Sequence, residues 1–182
     1  MKCLSFNCRG MASASRKLAL RRLFENEPVD IIMPQETLGN AKAINQTLTA
    51  IKLGWHFLSL DVVGRSGGIA IGFDPHSINV STSWGGVGFI GLDLFSADLG
   101  LSIIIINVYG PCQWREDFCK HFLNTEITSV DQGIIGGDLN ISLGFGESWG
   151  SQAQVDPMLD FFRDILDQRN LTDVPMNKPL PT

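Results

Sequence analysis

Ile134-Ile135-Gly136-Gly137-Asp138-Leu139-Asn140 reads as an apolar strand that runs straight into an acid and an amide. Three other stretches repeat the pattern. Leu4-Ser5-Phe6 ends at Asn7, and Ile31-Ile32-Met33-Pro34-Gln35 ends at Glu36. Ile103 to Ile106 continues through Asn107 and Val108 to Tyr109. Polar groups at strand ends converge on one rim only if those ends share it, a condition the sequence does not decide. The chemistry suits such a rim. Magnesium is a hard cation that takes carboxylate oxygens while keeping several waters, and Glu36 and Asp138 offer carboxylates. Asn7 and Asn140 can hold metal-linked water, a phosphate oxygen or a nucleophile through neutral amides. Tyr109 can donate to a phosphate oxygen, and it is the sole tyrosine in a chain with 11 phenylalanines. Metal and donors together would stabilise the charge that builds on a pentavalent phosphorus. Taken singly, each residue has a plainer reading: Glu36 as an exposed loop residue, Asp138 as turn chemistry, Asn7 as a strand exit, and Tyr109-Gly110-Pro111 as a turn. Their joint occurrence, in this order, favours a site.

Outward from these segments, Val, Ile and Phe content with Gly or Pro borders predicts strands over Cys3–Asn7, Val29–Met33, His56–Leu60, Gly68–Phe73, Ile78–Ser83, Phe89–Phe95, Leu101–Tyr109 and Gly133–Gly137. Helices are predicted over Ala14–Glu25, Ala41–Ile51, Trp114–Ile127 and Pro157–Arg169. The last has Asp156 as N-cap, Pro157 at the first helical position, and Met158, Leu159, Phe162, Ile165 and Leu166 on one apolar face. Strands between Leu58 and Phe95 follow one another without helices, whereas elsewhere the two alternate. The mixture predicts two sheets, or one mixed sheet, with helices outside.

Composition sets the limits. The chain has 182 residues, 44% apolar and 18% charged, which suits one globular domain. Its net charge of −5 argues against a binder that coats nucleic acid by charge alone, and is compatible with an acidic metal site. No apolar run approaches the ~20 residues of a membrane span, and the N-terminus lacks a signal-peptide core. The expected location is therefore intracellular. Cys3, Cys8, Cys112 and Cys119 show no metal spacing and read as reduced thiols. The basic cluster Arg16, Lys17, Arg21 and Arg22 reads as a solvated helix face. Gly86-Val87-Gly88-Phe89-Ile90-Gly91 matches G-x-G-x-x-G, but Leu92-Asp93-Leu94-Phe95 alternates like a strand, so nucleotide binding is rejected.

Five segments carry a resemblance. Leu4-Ser5-Phe6-Asn7-Cys8-Arg9-Gly10, Gln35-Glu36-Thr37, Ser66-Gly67-Gly68-Ile69-Ala70, Asn107-Val108-Tyr109-Gly110-Pro111 and Gly136-Gly137-Asp138-Leu139-Asn140 resemble successive motifs of the endonuclease/exonuclease/phosphatase family. They are most similar to the endonuclease domains of plant LINE-type (non-LTR) retrotransposons. The resemblance covers nearly the whole chain. It implies a single α/β domain over residues 1–182, a four-layer α/β sandwich of two face-to-face mixed sheets with outer helices, lacking the last strands. It further implies Mg²⁺- or Mn²⁺-dependent hydrolysis of nucleic-acid phosphodiesters, with DNA as partner and the nucleus as the place of a LINE-type activity. By position, Glu36 would be the principal metal ligand with Asn7 assisting. Asp138 would orient or deprotonate the attacking water, and Asn140 and Tyr109 would hold the phosphate.

Two departures stand beside it. The family's later aspartate and Ser-Asp-His segment have no counterpart before Thr182, and His56, His76 and His121 lie too early to replace that histidine. The chain is therefore expected to be weak or inactive as an enzyme and low in stability, with a catalytically silent nucleic-acid-binding domain as the alternative. Second, Pro34 stands where an apolar residue is usual, and proline suits only a strand end or an edge. It is expected to threaten the aim of Glu36. Oligomeric state is not set by the sequence.

Overall fold

Apolar runs, several of them buried on both faces, build the strands, and side-chain caps start the first two helices. The structure, a computed structural model, describes residues 1–63, 66–124, 132–142 and 155–174. These cluster into two compact units, Met1–Pro111 with Val130–Leu139, and Cys112–Ser129 with Asn140–Thr182.

The first unit holds β1 (Cys3–Asn7), α1 (Ala14–Asn26), β2 (Ile31–Gln35), α2 (Ala41–Ile51), β3 (His56–Val63), β4 (Ser66–Phe73), β5 (Ile78–Gly86), β6 (Phe89–Ser96), β7 (Leu101–Tyr109) and β8 (Gly133–Asp138). They form two four-stranded sheets, ordered β1-β2-β4-β3 and β5-β6-β7-β8. Both are mixed, since β1/β2 and β7/β8 run parallel while the other neighbours are antiparallel. Period-two alternation sorts the side chains between two cores. The core between the sheets sets Ile31, Met33, Ile69, Ile71 and Phe73 from the first against Ile78, Ile90, Leu92, Leu94, Ile103, Ile105 and Tyr109 from the second. Ile32, between Ile31 and Met33 on β2, points the opposite way. There it packs, with Ala70, against Leu20 and Phe24 of α1 and Ile44 and Leu48 of α2. Each fully buried Leu or Ile contributes ~1.5–3 kcal/mol by leaving water. The result is an α/β sandwich. Ser13 caps α1 by accepting from Arg16 N at 3.3 Å, and Asn40 caps α2 by accepting from Ala43 N at 2.8 Å. Gly136 lets the sheets close, because a Cβ there would come within 2.7 Å of Met33 Cε.

The second unit contains α3 (Arg115–Asn124) and α4 (Leu159–Gln168). In it Phe118 stacks on Phe122, with ring centroids 5.9 Å apart. Among the described residues no helix of either unit is long and apolar enough to cross a membrane.

Several expectations shift. β2 runs from Ile31 to Gln35, two residues beyond the predicted end, because its parallel pairing places Cys3 opposite Ile31 and Asn7 opposite Gln35. Pro34 therefore lies one residue from the end of an interior strand rather than on an edge. Trp114 has φ +60°, outside the helical region, so α3 starts at Arg115. The predicted continuation of that helix to Ile127 lies outside the described residues. α4 begins at Leu159, not Pro157. Asp156 caps the preceding turn instead, accepting from Met158 N at 2.9 Å. The G-x-G-x-x-G match is the hairpin from β5 to β6, with Val87 and Gly88 as its turn and a strand, not a helix, after it.

Candidate active site

Strand direction brings four of the five candidate residues together. Asn7 ends β1 and Glu36 follows β2, and these two strands are parallel, so both residues leave the first sheet at the same end. Tyr109 and Asp138 are paired at the ends of the parallel strands β7 and β8 in the second sheet. Two hydrogen bonds then cross between the sheets. Asn7 Nδ2 donates to Asp138 Oδ2 at 3.0 Å, and the Tyr109 hydroxyl donates to Glu36 Oε1 at 2.9 Å. The shared rim that the sequence required is present.

The backbone around Glu36 is irregular and well bonded. Glu36 has φ +51°. Cys8 N donates to Gln35 O at 3.0 Å, Gly10 N to Glu36 O at 2.6 Å, Met11 N to Thr37 O at 3.2 Å, and Thr37 N to Gly68 O at 3.0 Å. The Cys8 thiol also donates to Gln35 O, at 2.9 Å. Burial pushes that thiol up to about 11, so it serves as a protonated donor and not as a nucleophile. The side chain of Asn7 is fixed from both ends, because its Oδ1 accepts from Arg9 N at 3.0 Å. Gly137, at φ +142°, lets β8 pass close to β7, since a Cβ there would run into Val108 O.

Asn140 belongs to the second unit. It has φ +54°, and its carbonyl accepts from Arg115 Nη1 at 2.7 Å. Arg115 also pairs with Asp156 Oδ2 at 2.7 Å, and that carboxylate accepts from Ser142 N at 3.2 Å. Burial alone would raise the Asp156 pKa, but the Arg115 guanidinium and the Met158 and Ser142 amides outweigh it and hold the carboxyl below its ordinary value.

Sequence reasoning assigned no role to Gln35, Asn107 or Arg115. Gln35 and Asn107 are buried, and Gln35 Nε2 donates to Asn107 Oδ1 at 2.7 Å across the two sheets. An amide inside an otherwise apolar strand was the available signal, since a buried polar group needs a partner.

The donors at the rim are oxygens: the Glu36 and Asp138 carboxylates and the side-chain carbonyl of Asn7. That chemistry fits a hard divalent cation that keeps much of its water. Among the described residues there is no cluster of three or more His, Cys, Asp or Glu side chains placed to hold a metal. Water would have to complete the coordination.

No protein-family model matches the sequence, and no curated protein matches it. Solved structures do. The fold is that of the endonuclease/exonuclease/phosphatase proteins, as shown by a family protein from Bacteroides thetaiotaomicron with TM-score 0.58 and 12% identity, the match covering 76% of this chain and 61% of that one. Among individual structures, the endonuclease domain of TRAS1, a telomere-specific non-LTR retrotransposon, matches with TM-score 0.66 and 16% identity, covering 92% of this chain and 71% of that one. An AP endonuclease from Archaeoglobus fulgidus matches with TM-score 0.68 and 18% identity, covering 92% and 70%.

Proposed function

We propose that this chain is a divalent-metal-dependent phosphodiesterase domain acting on nucleic acid, an endonuclease of the LINE type with DNA as its substrate. The observation that carries the reading is the pair of cross-sheet hydrogen bonds, Asn7 to Asp138 and Tyr109 to Glu36, at the ends of four strands. The nuclease folds among its structural neighbours support it.

Glu36 and Asn7 would hold Mg²⁺ or Mn²⁺, which when bound supplies Lewis-acid stabilisation of phosphate charge. The chain's own groups do the rest. Asp138, oriented by Asn7 Nδ2, would accept the proton of the attacking water. The Tyr109 hydroxyl would turn from Glu36 to a non-bridging phosphate oxygen. The role of Asn140, an amide donor to the phosphate, rests on the sequence resemblance. A nuclear location goes with an enzyme of this kind, whose substrate would be chromosomal DNA. A second reading, binding without cleavage, is supported by the same hydrogen bonds, which give both acids a partner without an ion.

Nicking of supercoiled plasmid in Mg²⁺ separates the two readings. The hydrolase reading expects nicking that stops with chelator and falls by ~10²-fold or more in Glu36→Ala and Asp138→Ala, with circular dichroism confirming that the variants fold. A folded chain that retains DNA without nicking it supports the binding reading instead.

A further inference from the structure

The ladder between β2 and β4 is interrupted just before the candidate site. Ile31 pairs with Phe73, Ile32 with Gly72 and Gln35 with Ile69, whereas Met33 and Pro34, which face Ile71 and Ala70 by that register, do not pair. Asp74 N donates to Asp30 O at 3.0 Å, which fixes the phase of the ladder. Antiparallel positions alternate between bonded and non-bonded pairs, so 30/74, 32/72 and 34/70 are the bonded ones. At the last of these proline has no N–H to give. Ala70 O therefore lacks its ladder donor at a residue with 0% exposure.

The second sheet supplies the donor. Asn107 Nδ2 lies 2.6 Å from Ala70 O and 3.2 Å from Pro34 O, while its Oδ1 accepts from Gln35 Nε2 at 2.7 Å. Both amide hydrogens and the amide oxygen are used. The opposite orientation would set oxygen against two carbonyls, so the network fixes which way the amide points. Gln35 retains Ser5 Oγ, at 3.1 Å, and Met33 O as further acceptors, and Pro34 O keeps the Ala70 N–H side of the bonded pair, so loss of Asn107 would fall mainly on the Ala70 carbonyl.

We propose that Asn107 is a positioning residue that replaces the missing proline amide and so holds the end of β2, and with it Glu36, in place for metal binding. The metal part rests on the function proposed above; the hydrogen-bond replacement does not. Proline at this interior position then ceases to be a defect, because a side chain from the facing sheet closes the gap it leaves.

The test is a cycle on the full chain with Asn107→Leu, Pro34→Leu and the double variant. Leucine at 34 restores a backbone N–H opposite Ala70, and leucine at 107 removes the amide at similar size. Urea unfolding should show Asn107→Leu to be strongly destabilising in the parent and much less so beside Pro34→Leu, a coupling of about fivefold or more in the folding equilibrium. Mn²⁺ titration should show an affinity loss of about tenfold in Asn107→Leu, with most of it regained in the double variant. If Asn107→Leu does not fold alone, cooperative folding of the double variant supports the proposal, since rescue from position 34 is its content. Additive effects, or unchanged Mn²⁺ affinity in folded Asn107→Leu, would overturn it. A parent chain that binds no Mn²⁺ would sink the metal reading, while the unfolding cycle would still decide whether Asn107 replaces the proline amide.

Discussion

The first unit buries two continuous apolar clusters, one between its sheets and one beneath α1 and α2. In the second unit, α4 carries Phe161, Phe162, Ile165 and Leu166 without burying any of them completely. Its buried apolar side chains are few, Cys119 and Phe122 on α3 among them, and a polar network stands beside them: Arg115 bonded to Asn140 O and Asp156, and Asp156 bonded to the Ser142 and Met158 amides. The first unit should therefore answer to the removal of methylenes, and the second to the removal of charge.

The largest effect expected is in the sheet core. Leu92 has 0% exposure, and Leu92→Ala should cost about 2–5 kcal/mol in urea unfolding. Phe162→Ala in half-buried α4 should cost about 1–2 kcal/mol, below the roughly 3–5 kcal/mol of a fully buried ring; equal costs would erase the contrast. Arg115→Ala leaves the Asp156 carboxylate without its cation and should cost about 1–3 kcal/mol. Amide exchange should then accelerate in α3 and α4 more than in β6 and β7, and uniform acceleration would count against separate units. The pH dependence has a definite sign. Asp156 has a folded-state pKa below the unfolded one, so its contribution is complete above the ordinary carboxylate pKa of about 3.9 and disappears as pH falls through the lower folded value. The acid-induced loss should shrink in Asp156→Asn. The smallest effect concerns labelling. Cys112 is exposed, whereas burial raises the Cys3 and Cys8 thiols to about 11. A thiol reagent at mildly alkaline pH should modify Cys112 first, and rapid modification of Cys8 would show that the segment beside Glu36 opens readily.

Much of this was legible in the sequence for local reasons. Strands such as Leu101–Tyr109 announce themselves through β-branched residues, and the polar residues at their ends marked four members of the rim. What the sequence left open was their pairing. Asn7 finds Asp138 only because β1/β2 and β7/β8 are both parallel and end on the same side. The Gln35–Asn107 contact depends on the register of two sheets, and Arg115 meets Asp156 across 41 positions. Pro34 shows in the sequence only its own missing amide, while the donor that takes its place stands 73 positions away.

The rim's cross-sheet bonds also bear on the order of folding. Asn7 and Asp138 are separated by 131 positions, and Tyr109 and Glu36 by 73. Closing long loops is entropically slow, while the β5–β6 hairpin and the two capped helices can form locally. In refolding, secondary structure should return first and the paired acids last, so metal binding would serve as a late clock for the completed sandwich.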